Sequence, residues 1–356
     1  MEVRQLFDPI SCTYTYLAYD QNTKDAVLID PVFEFFLRDD ALIQELGLTL
    51  KYTLETHIHA DHVTSAWLFK IKRNSEIAIS RESGAKNSDR LLSHGDIISV
   101  GQSKLTTVAT PGHTNGCVSY LLGDQSAIFT GDALLVRGTG RTDFQEGSSI
   151  KLFKSITNAI FSLPDNCIVY PAHDYAGIMS STIGEEKQFN PRLGGMLSEA
   201  DFVKSMEHLN LPHPKKIDAA VPANSNCGYM DEDFSFIKQP SWAHLKYTFA
   251  DNWDIESPEL FRIKEEVFLI DVRSEKEFSG ALGRISNSIN LPLETINAKI
   301  MKQYKGKPVV FICRAGGRSV QALKNADLVK KTEAASLRGG LIAWRSEGFE
   351  VENGSN

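Results

Sequence analysis

Short apolar runs alternate with polar, turn-rich segments along the first half of the chain. One run, residues 12–17, is rich in β-branched and aromatic side chains, and another, residues 26–31, is apolar and ends at a proline. They flank the turn-forming segment 20–25, a pattern typical of a β-hairpin. Leu42, Ile43 and Leu46 recur at helical spacing. The predicted strands are residues 12–17, 26–31 and 50–54, and the predicted helices are residues 38–46 and 63–72. Alternating strands and helices predict sheets that are covered by layers of helix.

The pattern breaks down after residue 230 and resumes in a different form near residue 256. There Ser257 and Pro258 predict a helix start, with Ser257 as the N-cap and Pro258 at the first helical position. The later elements predicted are strands at residues 267–270 and 308–312 and a helix at 320–330. The predicted division is a first domain at residues 1–235, a linker at 236–255 and a smaller α/β domain with a central parallel sheet at 256–356.

Length, charge and cysteine content narrow the function classes. A chain of 356 residues exceeds one average domain and predicts two. The 38 basic and 45 acidic residues give a net charge of −7, which offers no basic surface for nucleic acid or an anionic membrane. No apolar run approaches the roughly 18 residues of a membrane span, and no signal-peptide pattern is present, so we expect a cytoplasmic protein. Five cysteines at long spacings predict reduced thiols rather than a disulfide framework.

Three histidines and a carboxylate follow the predicted strand 50–54 within a very short segment. They are His57, His59, Asp61 and His62. Buried polar groups need partners, and a metal ion is the partner that uses several imidazole and carboxylate ligands at once. Further ligand-type residues after predicted strands are His113, Asp132 and His173. Four loops at strand ends therefore predict a metal site held by a rigid scaffold.

The order of these ligand-type residues resembles the metallo-β-lactamase superfamily. The resemblance implies an αββα sandwich with metal between its two sheets. Two enzyme classes stay open on the ligand set alone. Glyoxalase II-like thioesterases use all of the residues to hold two metals that activate a water. Persulfide dioxygenases carry the same residues but bind one iron through two histidines and an aspartate.

The sequence around the ligands favours the second class. Segments that closely resemble the persulfide dioxygenases of mitochondria and bacteria are residues 140–145, 173–175, 190–193 and 221–224, within a resemblance that covers residues 3–230. It implies one mononuclear Fe(II) per chain and no nucleotide cofactor, with open positions for substrate and O2. The implied iron ligands are His57, His113 and Asp132, and the residues implied to orient ligands or bound water are His59, Asp61, His62 and His173.

The same resemblance implies a glutathione site. Arg141 and Tyr175 match family positions that hold glutathione, and Arg192 is expected to contribute. Guanidinium groups suit this task because they pair with the carboxylates of an anionic tripeptide. Cys227 lies beside a family-like segment, and the sequence leaves open whether it approaches the pocket or is an ordinary buried thiol.

A second reactive group is predicted in the C-terminal domain. Cys313 ends the strand 308–312 and is followed by a glycine-containing loop and a helix. Backbone N–H groups of such a loop and the helix dipole favour a thiolate, which is a good nucleophile. Arg314 and Arg318 add positive charge for an anionic sulfur donor such as thiosulfate. The loop comprises Cys313, Arg314, Ala315, Gly316, Gly317, Arg318 and Ser319. The alternative interpretations are a loop that binds phosphate and an unreactive thiol at the end of a strand.

Residues 255–352 resemble a single rhodanese domain, with a short active-site loop like that of sulfurtransferases. Together the resemblances imply a bifunctional enzyme. Cys313 would move sulfur between thiosulfate and glutathione with release of sulfite, and the iron site would oxidise glutathione persulfide with O2. The alternatives are a binuclear thioesterase with a rhodanese module, or a sulfur-carrier or sensor protein. The direction of sulfur transfer, the route of the persulfide between the sites, and homo-oligomerisation stay open.

Overall fold

The chain forms two compact units in the computed structural model. The structure describes residues 1–195, 197–209, 211–229, 240–329 and 331–352. One unit comprises residues 1–36 and 46–231, and the other comprises residues 37–45 and 232–356. Residues 236–239 of the predicted linker lie outside the described residues.

The elements of the chain up to residue 224 are mostly short. Their strands are β1 (Glu2–Asp8), β2 (Thr13–Tyr19), β3 (Asp25–Ile29), β4 (Thr49–Leu54), β5 (Glu76–Ser80), β6 (Arg90–Leu92), β7 (Ile97–Val100), β8 (Ser103–Ala109), β9 (Val118–Leu122), β10 (Ala127–Gly131), β11 (Ile168–Pro171) and β12 (Ser181–Thr182). Their helices are α1 (Phe36–Glu45), α2 (Ala66–Arg73), α3 (Ser149–Ser155), α4 (Ile183–Phe189), α5 (Glu199–Glu207) and α6 (Ile217–Asn224).

Two six-stranded mixed sheets face each other in the first unit. Their strand orders are β1-β2-β3-β4-β5-β6 and β12-β11-β10-β9-β8-β7. The antiparallel pairing of β2 and β3 confirms the predicted hairpin. Side chains from both sheets pack in one cluster, which includes Tyr16, Val27, Leu105, Tyr120 and Phe129. The core of this unit therefore lies between the sheets.

Helices cover the outer faces of both sheets. On β10, Phe129 points into the core between the sheets, whereas Ile128 packs with Leu152 of α3 and Phe202 of α5. This alternation follows from the period of two in a strand, which sends successive side chains to opposite faces. On the other sheet, α2 packs against β4 and β5. The αββα sandwich is thus confirmed.

The second unit is built on one sheet that is parallel except at one edge. Its strands are β13 (Lys246–Thr248), β14 (Asn252–Ile255), β15 (Phe268–Asp271), β16 (Ile289–Asn290), β17 (Val309–Ile312) and β18 (Ala334–Leu337), in the order β13-β14-β18-β17-β15-β16. Its later helices are α7 (Ser257–Ile263), α8 (Glu275–Phe278), α9 (Ala298–Met301), α10 (Gly317–Asn325) and α11 (Gly340–Ser346). Among the described strands of this sheet, the pair of β13 and β14 is antiparallel and every other pair is parallel. The predicted central parallel sheet is confirmed.

This sheet starts inside the segment that was predicted to be a linker. Strands β13 and β14 lie within residues 246–255 and join β18, with Trp253 and Ile255 buried in the core of the second unit. Strands of three and four residues are too short to show a period in the sequence. The sheet of the second domain is therefore larger than the pattern predicted.

Several helix ends differ from the prediction. Helix α10 begins at Gly317, three residues before the predicted start, because Gly316 adopts a positive φ of 101° that turns the chain directly into the helix. Ser257 is the first residue of α7, and Glu256 takes the N-cap position. Helix α2 begins at Ala66 rather than at residue 63. The predicted C-terminal residue of the 320–330 helix, Lys330, lies outside the described residues. Among the helices described, none is long and apolar enough to cross a bilayer.

Candidate metal centre

The predicted ligand residues lie on four loops that each follow a strand of the first unit. The loop after β4, in one sheet, carries His57, His59, Asp61 and His62. In the other sheet, His113 follows β8, Asp132 follows β10 and His173 follows β11. The sandwich therefore brings ligands from both sheets together, although up to about a hundred residues separate them in the chain.

Three of these residues form a compact ligand set. The ligand atoms of His57, His113 and Asp132 lie within 4.8 Å of one another, and all three residues are buried. His113 Nε2 is 3.4 Å from Asp132 Oδ2. Ligand atoms bind a transition metal at about 2 Å and so lie about 3 Å or more apart. The three side chains thus fit one ion, and two imidazoles with one carboxylate suit Fe(II).

Hydrogen bonds fix the tautomer of both imidazoles in this set. Thr56 Oγ1 donates to Asp30 Oδ2 at 2.8 Å, so its oxygen accepts from His57 Nδ1 at 3.0 Å. His113 Nδ1 donates to the carbonyl oxygen of Arg141 at 2.6 Å. Each ring therefore keeps the lone pair of Nε2 for a metal, which is the usual role of such supporting partners.

The charge state of the set also suits a metal. Burial, together with the neighbouring His59 and His113, holds the pKa of His57 well below its usual value. Burial raises the pKa of Asp132, but the neighbouring His173 and His113 side chains outweigh burial and place this pKa well below its usual range. A neutral imidazole and an ionised carboxylate are the forms that bind metal.

One oxygen of the Asp61 carboxylate accepts hydrogen bonds from three protein donors. This oxygen, Oδ2, accepts from Thr13 Oγ1 at 2.9 Å, from His62 Nδ1 at 3.1 Å and from His173 Nε2 at 3.1 Å. His173 also donates from Nδ1 to Asp132 Oδ1 at 2.6 Å. Burial lowers the pKa of His173, but Asp132 and Asp61 outweigh burial and raise it well above its usual value. A protonated His173 therefore links the two carboxylates.

His59 belongs to a different buried cluster. Its Nε2 lies 3.1 Å from Asp30 Oδ1 and 3.5 Å from Glu55 Oε2. Nε2 of His62 is buried and has no hydrogen-bond partner among the described residues. The ligand atoms of His59, Asp61 and His62 also lie within 4.8 Å of one another. A second three-residue set therefore lies beside the first, as a binuclear centre would require.

A pocket of about 620 Å³ opens at the first ligand set, and Arg141, Tyr175 and Arg192 line it. Tyr175 is 74% exposed, and its ring stacks on His173 at a centroid distance of 5.7 Å. Arg192 Nη1 donates to the carbonyl oxygen of Thr139 at 2.8 Å and lies 3.1 Å from its hydroxyl. All three predicted substrate residues are therefore brought to the pocket that contains the ligand set.

Most of the donors of Arg141 are engaged by the protein itself. Its Nε and Nη2 donate to the carboxylate of Asp143 at 2.6 and 2.7 Å, and Nη1 donates to the carbonyl of Pro212 at 2.7 Å. Nη2 also donates to the carbonyl of Leu211 at 3.1 Å, and the guanidinium lies 4.2 Å from the ring centre of Phe144. Arg141 thus fixes the segment that forms one wall of the pocket.

The predicted sulfur-transfer loop lies in the second unit, between β17 and α10. Cys313 is only 1% exposed, and its Sγ accepts from the backbone N–H of Gly316 at 3.1 Å. The guanidinium of Arg318 forms two hydrogen bonds of 2.7 Å with Glu277, and Arg314 is exposed. Gly317, Arg318 and Ser319 form the first turn of α10, so the helix N-terminus lies at the loop as predicted.

Comparisons with known proteins agree with this arrangement. The family described as the metallo-beta-lactamase superfamily matches residues 8–173, and the rhodanese-like domain matches residues 259–347. The mitochondrial persulfide dioxygenase ETHE1 of Mus musculus is 53% identical over 227 residues, which cover 64% of this chain and 88% of that protein. The human protein is 52% identical over the same lengths. The chain belongs to the persulfide dioxygenase family of the metallo-β-lactamase superfamily.

Solved structures extend the likeness. The crystal structure of ETHE1 from Myxococcus xanthus is 50% identical and covers 64% of this chain and all of that chain, with a TM-score of 0.62. A metallo-beta-lactamase from Staphylococcus aureus is 26% identical, with a TM-score of 0.61, and covers 95% of this chain and 98% of that chain. This member of the persulfide dioxygenase family therefore carries a C-terminal rhodanese-like domain, as the sequence predicted.

Sequence reasoning missed four residues that support the ligand loop of this family member. They are Thr13, Asp30, Glu55 and Asn224. Asp30 directly follows β3, which is the same strand-end signal that identified Asp132. Asn224 lies in the segment 221–224 used for the resemblance, but the sequence did not predict its hydrogen bonds to the carbonyl oxygens of His59 and His62.

Cys227 is an ordinary buried thiol. It packs with Ala66 of α2 and Ile77 of β5, and burial raises the pKa of Cys227 to about 12. The thiol is therefore protonated at neutral pH and poorly nucleophilic.

Proposed function

We propose that the N-terminal unit is an Fe(II)- and O2-dependent dioxygenase that oxidises glutathione persulfide. The persulfide GSSH, O2 and water give GSH and sulfurous acid, which ionises to sulfite. The outer sulfur becomes bonded to three oxygen atoms, two from O2 and one from water. That sulfur is oxidised by four electrons, which O2 accepts.

The main support for this proposal is that His57, His113 and Asp132 form a compact ligand set in a chain that is about half identical to persulfide dioxygenases. Three protein donors, including Thr13, already bind Asp61 Oδ2, so this oxygen is less available to a second ion, which supports one metal rather than two. When bound, iron would hold the persulfide sulfur and O2 side by side and allow electron transfer between them.

The pocket residues would bind and orient the glutathione part of the substrate. Tyr175 is exposed and presents its phenol and ring, whereas Arg192 provides a half-buried guanidinium whose positive charge favours a carboxylate. Arg141 would act through the wall formed by residues 211–212, which it holds by two hydrogen bonds. An anionic tripeptide would thereby be fixed with its persulfide at the ligand set.

The test is O2 uptake by the iron-loaded protein supplied with glutathione persulfide, with metal content measured on the same sample. We expect about one O2 per persulfide and about one iron per chain, with both lost in His113→Ala. Two metals per chain, no O2 uptake and hydrolysis of a glutathione thioester would instead establish the binuclear thioesterase that the second ligand set permits.

We further propose that the second unit is a sulfurtransferase that acts through Cys313. The Cys313 thiolate attacks the outer sulfur of thiosulfate, the S–S bond breaks, and sulfite leaves with the electron pair. A glutathione thiol then takes this sulfur from the Cys313 persulfide and regenerates the thiolate. The N–H of Gly316 and the N-terminus of α10 favour the anionic sulfur at each stage.

The sulfurtransferase is tested by sulfite release from thiosulfate and glutathione. Cys313→Ala should abolish transfer and keep O2 uptake, while His113→Ala should abolish O2 uptake and keep transfer. Each variant thus serves as the folding control for the other. No transfer by the wild type, or transfer that survives in Cys313→Ala, would refute the proposal and favour a sulfur-carrier or sensor role.

A further inference from the structure

A buried row of hydroxyl groups leads from Cys313 to a carboxyl group on the opposite side of β18. Cys313 Sγ lies 3.6 Å from Ser319 Oγ, and Ser319 Oγ lies 2.8 Å from Ser336 Oγ. Ser319 is fully buried and Ser336 is 1% exposed. Hydrogen bonds between buried groups are strong because no water competes for them.

The row ends at Asp254. Asp254 of β14 is the register partner of Ser336 of β18 in a parallel pair, so both side chains lie on the same face of the sheet. The Ser336 hydroxyl stabilises the carboxylate of Asp254, and Asn252 Nδ2 donates to Asp254 Oδ1 at 2.6 Å. Burial nevertheless raises the pKa of Asp254 to about 6. The far end of the row therefore titrates close to neutral pH.

A hydroxyl has one proton to donate, so the row has a direction. When Asp254 is ionised, Ser336 donates to the carboxylate, Ser319 can donate to Ser336, and the oxygen of Ser319 accepts from the Cys313 thiol. When Asp254 is protonated, the order reverses and Ser319 can donate to the sulfur. The carbonyl oxygen of Gly316, 2.7 Å from Ser319 Oγ, accepts the same Ser319 proton in competition. The first order favours the thiol, and the second favours the thiolate.

We propose that Asp254 is a positioning residue for Cys313, and that its ionisation sets the direction of the Ser319–Ser336 row and so the fraction of Cys313 present as thiolate. The biological role of this coupling rests on the proposed sulfurtransferase function of Cys313. The coupling itself can be measured whether or not Cys313 transfers sulfur. It makes the reactivity of the sulfur depend on a carboxyl group that touches neither Cys313 nor its substrate.

Most of the other charges around the two ends are paired. Charged groups near Asp254 or Cys313 are Lys246 of β13, Glu256 after β14, Arg338 after β18, Asp271 of β15, Arg318 of α10 and the exposed Arg314. Glu256 lies 3.1 Å from Lys246 and 3.4 Å from Arg338. Asp271 binds Arg273, and Arg318 binds Glu277. Of the charged groups named here, Asp254 is the one that the Ser319–Ser336 row connects to the sulfur of Cys313.

The test is the pH dependence of alkylation of Cys313 by iodoacetamide in the full reduced chain. Mass spectrometry of the Cys313 peptide separates this thiol from the other four cysteines. In Asp254→Asn, the new amide oxygen should accept the hydrogen bond from Asn252 Nδ2, which leaves the amide N–H₂ facing Ser336. This N–H₂ donates to the Ser336 hydroxyl, so the hydroxyl protons of the row are directed towards the sulfur of Cys313. We expect the midpoint to fall by half to one pH unit, about three- to tenfold more thiolate below the midpoint.

The double variant separates the row from simple charge removal. In a Ser336→Ala background, Asp254→Asn should no longer move the midpoint, whereas Ser336→Thr should keep the wild-type response. Asp327→Asn removes a carboxylate that is 89% exposed in the same unit and should change nothing. An equal shift with and without the Ser336 hydroxyl would overturn the proposal, as would no shift in Asp254→Asn.

These outcomes are independent of the proposed function. Alkylation needs no sulfur donor, so a chain that transfers no sulfur from thiosulfate but shows the shift would refute only the sulfurtransferase. A chain that transfers sulfur but shows no shift would refute only the coupling.

Discussion

Asn224 ties the ligand loop of the first unit to the end of helix α6. Its Nδ2 donates to the carbonyl oxygens of His59 at 2.9 Å and His62 at 2.8 Å, and its Oδ1 accepts from the N–H of Thr64 at 2.9 Å. The side chain is 3% exposed. Three hydrogen bonds from one amide therefore hold the backbone that carries the ligand residues, and Asn224→Ala should loosen it.

The magnitude follows from the buried partners left behind. Each lost hydrogen bond costs about 1 kcal/mol, and more where the remaining N–H or carbonyl cannot reach water, so three give about 3 kcal/mol. For a unit of this size, that free energy lowers the Tm by roughly 6–12 °C. Because supporting groups around metal ligands are worth about 10- to 100-fold in affinity, iron binding should weaken by a similar factor.

The assay measures both quantities on one protein. Thermal unfolding reports the Tm of the first unit, and competition with a coloured chelator reports iron affinity. Asn226→Ala is the matched control. Asn226 lies two residues after Asn224, and its side chain makes a single exposed hydrogen bond, to the carbonyl oxygen of Pro222. Iron affinity within twofold of the wild type in Asn224→Ala, with an unchanged Tm, would refute the reasoning.

Three other substitutions test separate parts of the molecule. A Cβ on Gly112, which has a φ of 145°, would lie 2.3 Å from the backbone of Leu152, so Gly112→Ala should displace the adjacent His113 and reduce iron content, whereas Gly123→Ala should not. Asp143→Asn should weaken the hold on Arg141 and raise the KM for glutathione persulfide severalfold in O2-uptake assays, with kcat nearly unchanged. Burial raises the folded-state pKa of Asp254 to about 6 from 3.8, so its ionisation destabilises the fold progressively as pH rises between these values and fully above them. Asp254→Asn should therefore raise the Tm at pH 7 by the equivalent of about 1–2 kcal/mol and leave it unchanged at pH 3; an equal rise at both values would contradict this.

The sequence by itself determined the elements that are coded locally. Two strand-forming runs on either side of a turn-forming segment located the hairpin of β2 and β3, because all of these signals lie within one short stretch of the chain. The same local chemistry placed His113 and Asp132 at strand ends and Cys313 before a helix N-terminus. It failed for β13 and β14, since strands of three and four residues carry too little pattern.

Only the tertiary structure decided which of these groups meet. His59 joins Asp30 and Glu55 rather than the set formed by His57, and Arg141 binds a segment about seventy residues away. The row from Cys313 to Asp254 exists because β14 and β18 pair side by side. Such contacts depend on strand order and register, which the packing of the whole core fixes, so no local pattern of residues encodes them.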